Sequence, residues 1–144
     1  MKKYLLIITC VAALAACNVR RSDKVVDDAV QQKATALLDT TTVQLIDSIY
    51  NFGSVTEGEK VSYNFRFKNV GAKPMVITST SASCGCTVPE KPEKPILPGE
   101  TGIIKVVFNS QGKVGHNDKA ITVMANTRPA FPSLKLTGEV TAEK

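Results

Sequence analysis

Tryptophan is absent from this chain, and histidine occurs once, at His116. One histidine leaves no second member for a catalytic histidine pair, and a four-ligand zinc site would need donors that the sequence does not supply. Aromatic residues are 6% of the total. Only Tyr50 and Tyr63 remain as tyrosines beyond the N-terminal segment, so stacking platforms for sugars are scarce. Aromatics do not interleave with Lys or Arg as a strand-binding surface requires, which excludes nucleic acid as a partner. No serine lies in a G-x-S-x-G elbow, no glycine-rich loop is built to cradle phosphate, and no acidic loop has EF-hand spacing. Nothing calls for a cofactor. An enzyme is left open only through the cysteines, of which there are four.

Long apolar runs are also missing. Leu5 to Leu14 is apolar apart from Thr9, but it is far shorter than the about 20 residues a permanent membrane helix needs. Lys2 and Lys3 precede this run, and Leu14-Ala15-Ala16-Cys17 ends it. Charge, short apolar core and small residues in that order read as a signal peptide over residues 1–16. The last four residues resemble a bacterial lipobox, in which Cys17 is acylated and becomes the mature N-terminus. Two or three acyl chains, at about 0.8 kcal/mol per buried methylene, fix such a protein to a membrane. Asn18 replaces the Asp that signals inner-membrane retention, so the resemblance favours a palmitate-type anchor in the cell outer membrane, on either its periplasmic or its surface face.

Without residues 1–16 the 18 basic residues fall to 16 against 13 acidic, a net charge near +3. Arg20, Arg21 and Lys24 follow the lipid site, where each can interact with anionic head groups by about 1 kcal/mol. Residues 17–42 lack aromatics, Gly and Pro and read as a lipidated tether. Asp23 caps a short expected helix whose stripe is Val26, Val30, Ala34 and Leu37.

From residue 43 to 144 the period changes to two. Val61, Tyr63, Phe65 and Phe67 alternate with Ser62, Asn64, Arg66 and Lys68, the pattern of a half-buried strand. Asn69-Val70-Gly71 reads as a turn with Gly71 free to take positive φ, and Pro74 to Thr80 as the next strand. Ile104, Val106 and Phe108 alternate after Pro98-Gly99, then Ile121, Val123 and Ala125, then Leu134, Leu136 and Val140. With a first strand at Val43 to Tyr50 and a short one near Thr87, this predicts an all-β, immunoglobulin-like sandwich of about seven strands. The Cys, Trp, Cys framework of antibody domains cannot be built.

Several separated pieces then agree: Phe52-Gly53, Gly58-Glu59, Phe65-Arg66-Phe67-Lys68-Asn69, Gly71 before Pro74, Ser83-Cys84-Gly85-Cys86-Thr87, Pro98-Gly99-Glu100 and Leu136-Thr137-Gly138-Glu139-Val140. Together they resemble the bacterial family known as domain of unknown function 1573, frequent in Bacteroidetes lipoproteins. The resemblance spans about residues 43 to 141. It implies an immunoglobulin-like domain related to Hydin-type modules, with Cys-Gly-Cys-Thr as its hallmark, and it implies no activity.

Cys10 leaves with the signal and Cys17 is lipidated, so Cys84 and Cys86 are the two thiols of the mature chain in an oxidising compartment. Pairing is the natural expectation. In an extended strand their Cα atoms would lie about 6.5–7 Å apart, at the upper edge of disulfide geometry, and Gly85 lets the backbone kink to close that gap. Three readings stand at this point. The pair packs a strand end; or it exchanges with thiols, although no helix N-terminus follows to lower a thiol pKa; or two thiolates bind Cu(I) or Zn(II), with His116, Met75 or Met124 as weak further candidates. His116 reads as a solvated residue of the polar loop from Gln111 to Asp118. The expectation is a non-enzymatic, lipid-anchored binding or assembly module of the envelope that engages a protein partner, with thiol redox or copper handling at Cys84 and Cys86 as the alternative.

Overall fold

The computed structural model describes residues 39–143. The signal segment 1–16, the lipidation candidate Cys17, the basic residues Arg20, Arg21 and Lys24, and the helical stripe Val26 to Leu37 lie outside them. Among the described residues there is no helix but eight strands: β1 Val43–Leu45, β2 Ile49–Thr56, β3 Lys60–Asn69, β4 Ile77–Ala82, β5 Thr87–Glu90, β6 Thr101–Asn109, β7 Gly115–Ala125 and β8 Leu134–Thr141. They form two four-stranded sheets, in the orders β1-β3-β6-β5 and β2-β8-β7-β4. The domain is an immunoglobulin-like sandwich.

The count exceeds seven because the single strand expected over Val43 to Tyr50 is two. β1 pairs antiparallel with β3 in one sheet, and β2 pairs parallel with β8 in the other. The chain crosses between them at Asp47. Backbone N–H groups of Ile46 and Asp47 both donate to the Arg66 carbonyl, and the Asp47 carboxylate accepts from the Arg66 backbone N–H at 3.1 Å and from its Nε at 2.8 Å. A strand that changes sheets covers one edge of each, leaving short or bent edges rather than one long one.

Period-two patterning places the core. Phe65, Phe67, Ile104, Val106 and Phe108 project from one sheet and Ile121, Leu134, Leu136 and Val140 from the other, and all are essentially inaccessible. The rings pack at angles: Phe67 meets Phe131 edge-on at 5.1 Å, and Tyr63 meets Phe65 edge-on at 4.9 Å. Two glycines are required by this packing. A Cβ on Gly102 would overlap the Phe67 ring, and one on Gly138 would overlap Phe52. Gly85, in contrast, faces open space.

Asn69 ties the end of the domain at which the described chain begins. Its side chain is fully buried, and its Nδ2 donates to Lys73 O at 2.8 Å and Ile96 O at 2.9 Å. Its Oδ1 accepts from Thr41 Oγ1 at 2.7 Å and from the Gly71 N–H at 3.1 Å. Its backbone is bonded to Glu100 O and to the Gly99 N–H. Gly99, at φ 83°, follows Pro98 in a tight turn closed by Glu100 N–H to Leu97 O, and the Glu100 carboxylate accepts from the Leu97 N–H at 2.8 Å. Asn69, Gly71 and Pro98-Gly99-Glu100, separate in sequence, are therefore one interlocked assembly. Gly71 does not take positive φ. It is small because a Cβ would collide with Thr41 Oγ1 and the Thr42 nitrogen.

Candidate functional site

β3 runs from Lys60 at one end of the sandwich to Asn69 at the other, nine steps of about 3.3 Å, or roughly 30 Å. The chain enters beside Asn69, where Thr41 is held by backbone bonds to Asn126 and Arg128. The Cys-Gly-Cys segment connects β4 to β5 at the opposite end. β5 pairs with β6 from Thr87 opposite Phe108, so the cysteines sit just beyond Asn109, which faces Lys60 on β3.

Cys84 and Cys86 are joined in a disulfide with Cα atoms 5.3 Å apart. The short separation does not come from a kinked strand. The four residues from Cys84 to Thr87 form a turn closed by the Thr87 N–H to Cys84 O at 3.3 Å, and Gly85 has no positive φ in it. Three further bonds hold the turn from both sides: Asn109 N–H to Cys86 O at 2.9 Å, Ser83 N–H to Ala120 O at 3.0 Å, and Ala120 N–H to Ser83 Oγ at 3.2 Å. Main-chain bonds thus fix this connection whether or not the sulfurs are joined. A loop of three residues yields about 1.6 kcal/mol in the chain-entropy treatment, against about 3 for a 15-residue loop. The disulfide is a weak staple for the fold.

Both cysteines are half-buried, but their surroundings differ. Thr87, 4% exposed, places Oγ1 3.6 Å from Cys84 Sγ and 4.0 Å from Cys86 Sγ. Cys86, with Gly85, lines a surface depression of about 410 Å³ whose other walls include Lys60, Val88, Val107 and Gln111. Val88 is 57% exposed and lies opposite Val107 in the β5–β6 register, giving the depression an apolar floor. Glu90 at its rim is bonded by Lys105 Nζ at 3.3 Å. Among the described residues no acid forms an ion pair with Lys60, whereas Glu90, on the same wall, is paired with Lys105.

The other sequence candidates lie elsewhere. His116 is in β7 rather than in a loop, and its Nδ1 is 3.7 Å from Glu139 Oε2 on the solvent face. It lies four residues from Ala120, about 13 Å along the strand from the contact with Ser83. Met75 is buried beside Ile96 near the leading end of the domain, while Met124 is exposed. Among the described residues no three His, Cys, Asp or Glu side chains gather as metal donors. Tyr50 and Tyr63 stack on each other, ring centroids 3.8 Å apart and nearly parallel, so each covers one face of the other. Thr87 and the outer face formed by Lys60, Val88 and Val107 were not singled out as site residues in the sequence. Thr87 adjoins the cysteines, but its burial against both sulfurs is a tertiary property.

A family description, "Protein of unknown function (DUF1573)", matches residues 43–140. Comparison with curated proteins finds no match. Among solved structures, a Porphyromonas gingivalis W83 protein of unknown function superposes with TM-score 0.63 at 18% identity, over 70% of this chain and 47% of that one. This chain therefore spans about half the length of that relative. The ASH / PapD-like domain of human CEP192 gives TM-score 0.54 at 9% identity, covering 73% of this chain and 89% of that domain. The secreted serine protease VesC from Vibrio cholerae gives 0.54 at 10%, covering 81% of this chain and 25% of the protease. At these identities the likeness is one of fold alone.

Proposed function

This chain belongs to the DUF1573 family of proteins of unknown function, and from that premise we propose that it is a non-enzymatic binding or assembly module of the cell envelope, anchored through lipid on Cys17. The anchor rests on the order of charge, apolar run and Leu14-Ala15-Ala16-Cys17, and the outer membrane on Asn18. The partner is a protein that adds an extended strand to an open sheet edge. The observation that carries this reading is β4. It reads Ile-Thr-Ser-Thr-Ser-Ala, has a ladder partner, β7, on one side only, with Thr80 Oγ1 donating to Pro89 O of β5 at 3.2 Å, and carries neither charge nor proline. The other edges are guarded. β1 has three residues, β2 is broken by an irregularity between Asn51 and Ser54 with Gly53 at φ 71°, and β5 contains Pro89 and Glu90. Natural sheets blunt edges in just these ways; β4 shares the register irregularity, between Ile77 and Ser79, but presents neither charge nor proline from Ser79 to Ala82.

The test is crosslinking in intact envelopes. Wild type is expected to crosslink to a discrete protein, and Ser79→Lys with Ser81→Lys, both on exposed positions, to abolish that product while the melting temperature is preserved. An unchanged product refutes strand addition at β4. Cys17→Ala is expected to move the protein from the membrane to the soluble fraction, and retention would refute the lipid anchor.

A further inference from the structure

We propose that the Cys84–Cys86 disulfide exchanges with a dithiol of a partner protein, the incoming thiolate attacking Cys86 and Cys84 departing. This goes beyond the binding role and does not depend on it. The assignment of the two sulfurs follows from their unequal settings. Cys86 borders the open depression, where Lys60 attracts an anionic nucleophile, the charge of Glu90 on the same wall being offset by Lys105, and Val88 and Val107 receive an apolar neighbour of the attacking cysteine. Cys84 does not line that depression; its sulfur has the nearer approach to the Thr87 hydroxyl. A disulfide sulfur is a feeble acceptor, whereas a thiolate accepts a charge-assisted bond, so the hydroxyl favours the state in which Cys84 carries the negative charge. Thiols with lowered pKa are the faster leaving groups.

In the first step the partner thiolate forms a bond to Cys86 Sγ. The Cys84–Cys86 bond breaks, and its electron pair goes to Cys84 Sγ, held by Thr87 Oγ1–H. In the second, the partner's other thiolate bonds to the partner sulfur already joined to Cys86, the bond to Cys86 breaks, and Cys86 leaves as a thiolate. Two electrons pass from the partner, whose dithiol becomes a disulfide, to the pair, which takes up two protons and ends as two thiols. The four main-chain and side-chain bonds of the turn do not involve the sulfurs, so the reduced pair stays in register to be reoxidised.

Reduced glutathione serves as the probe, added in excess to the oxidised full-length protein, with samples quenched by acid and alkylated. Peptide mapping is expected to find glutathione on Cys86 and the alkyl group on Cys84. Thr87→Val is expected to slow the reaction about tenfold and Thr87→Ser to restore it. Glutathione on Cys84, a disulfide inert to glutathione, or a folded Thr87→Val protein reacting at the wild-type rate overturns the proposal. Should Thr87→Val fail to fold, the site of glutathione addition in the wild type decides alone.

Discussion

Replacing Asn69 is the most demanding check on the account of the fold. Truncation to Ala of this inaccessible side chain removes four hydrogen bonds, two of them buried and two part-buried. They are not equally costly to lose. Ile96 O keeps the Met75 N–H and Gly71 N–H keeps Thr42 O, whereas the Asn69 amide is the partner seen for Lys73 O and for the buried Thr41 hydroxyl. Two groups are thus orphaned at about 1–3 kcal/mol each, and the cavity adds to this. The total is about 3–5 kcal/mol, out of the 5–15 expected for about 100 ordered residues. Thermal unfolding followed by circular dichroism is expected to show a drop on the order of 20 °C. Asn69→Asp sharpens the test. It keeps the acceptor for Thr41 and Gly71 but turns a carboxylate oxygen toward two carbonyls, which raises its pKa in the folded state. Such a group costs stability as pH rises above the ordinary Asp value of about 3.9, so the deficit against wild type is expected to be larger at pH 7 than at pH 3. A loss below about 1 kcal/mol for Asn69→Ala, or a deficit for Asn69→Asp that does not change with pH, would refute the reasoning.

Other perturbations separate packing from backbone effects. Gly102→Ala is expected to cost about 1–3 kcal/mol by overlap with Phe67, and Gly85→Ala less than about 0.5 kcal/mol, as measured by urea denaturation. The double change Cys84→Ala with Cys86→Ala is expected to lower stability by about 1.6 kcal/mol or less, since the ring is short and the turn is bonded independently. The side-chain hydrogen bonds from Arg66 hold the Asp47 carboxyl below its ordinary value of 3.8. A carboxylate with a depressed pKa contributes stability above its unfolded value and loses it as pH falls through the folded one. The stability difference between wild type and Asp47→Asn is therefore expected to be full at pH 6 and to shrink below about pH 4, read from melts across that range.

The strands with strict alternation were legible because burial on one face enforces a period of two in the residues themselves: Val61 to Phe67, Ile104 to Phe108 and Leu134 to Val140 lie where the pattern put them. The split at Asp47 was not legible, because the group that bends the chain there is Arg66, nineteen residues away. Gly71 was legible as a required glycine but for the wrong cause: a turn signal is local, and the crowding from Thr41 and Thr42 is not. At the site, the pair Cys84 and Cys86 could be named, whereas Thr87 against their sulfurs and Lys60, Val88 and Val107 around them could not.

By itself the sequence determined the class of the fold and the position of the cysteine pair, since periodicity, turn residues and spacing are properties of neighbouring positions. Only the tertiary structure decided which sheet each strand joins, that Asn69 ties Thr41, Ile96 and the Gly99-Glu100 turn together, and that one sulfur faces an open depression while the other approaches a buried hydroxyl more closely. Those depend on contacts between residues far apart in the chain, which appear when the two sheets close on one another.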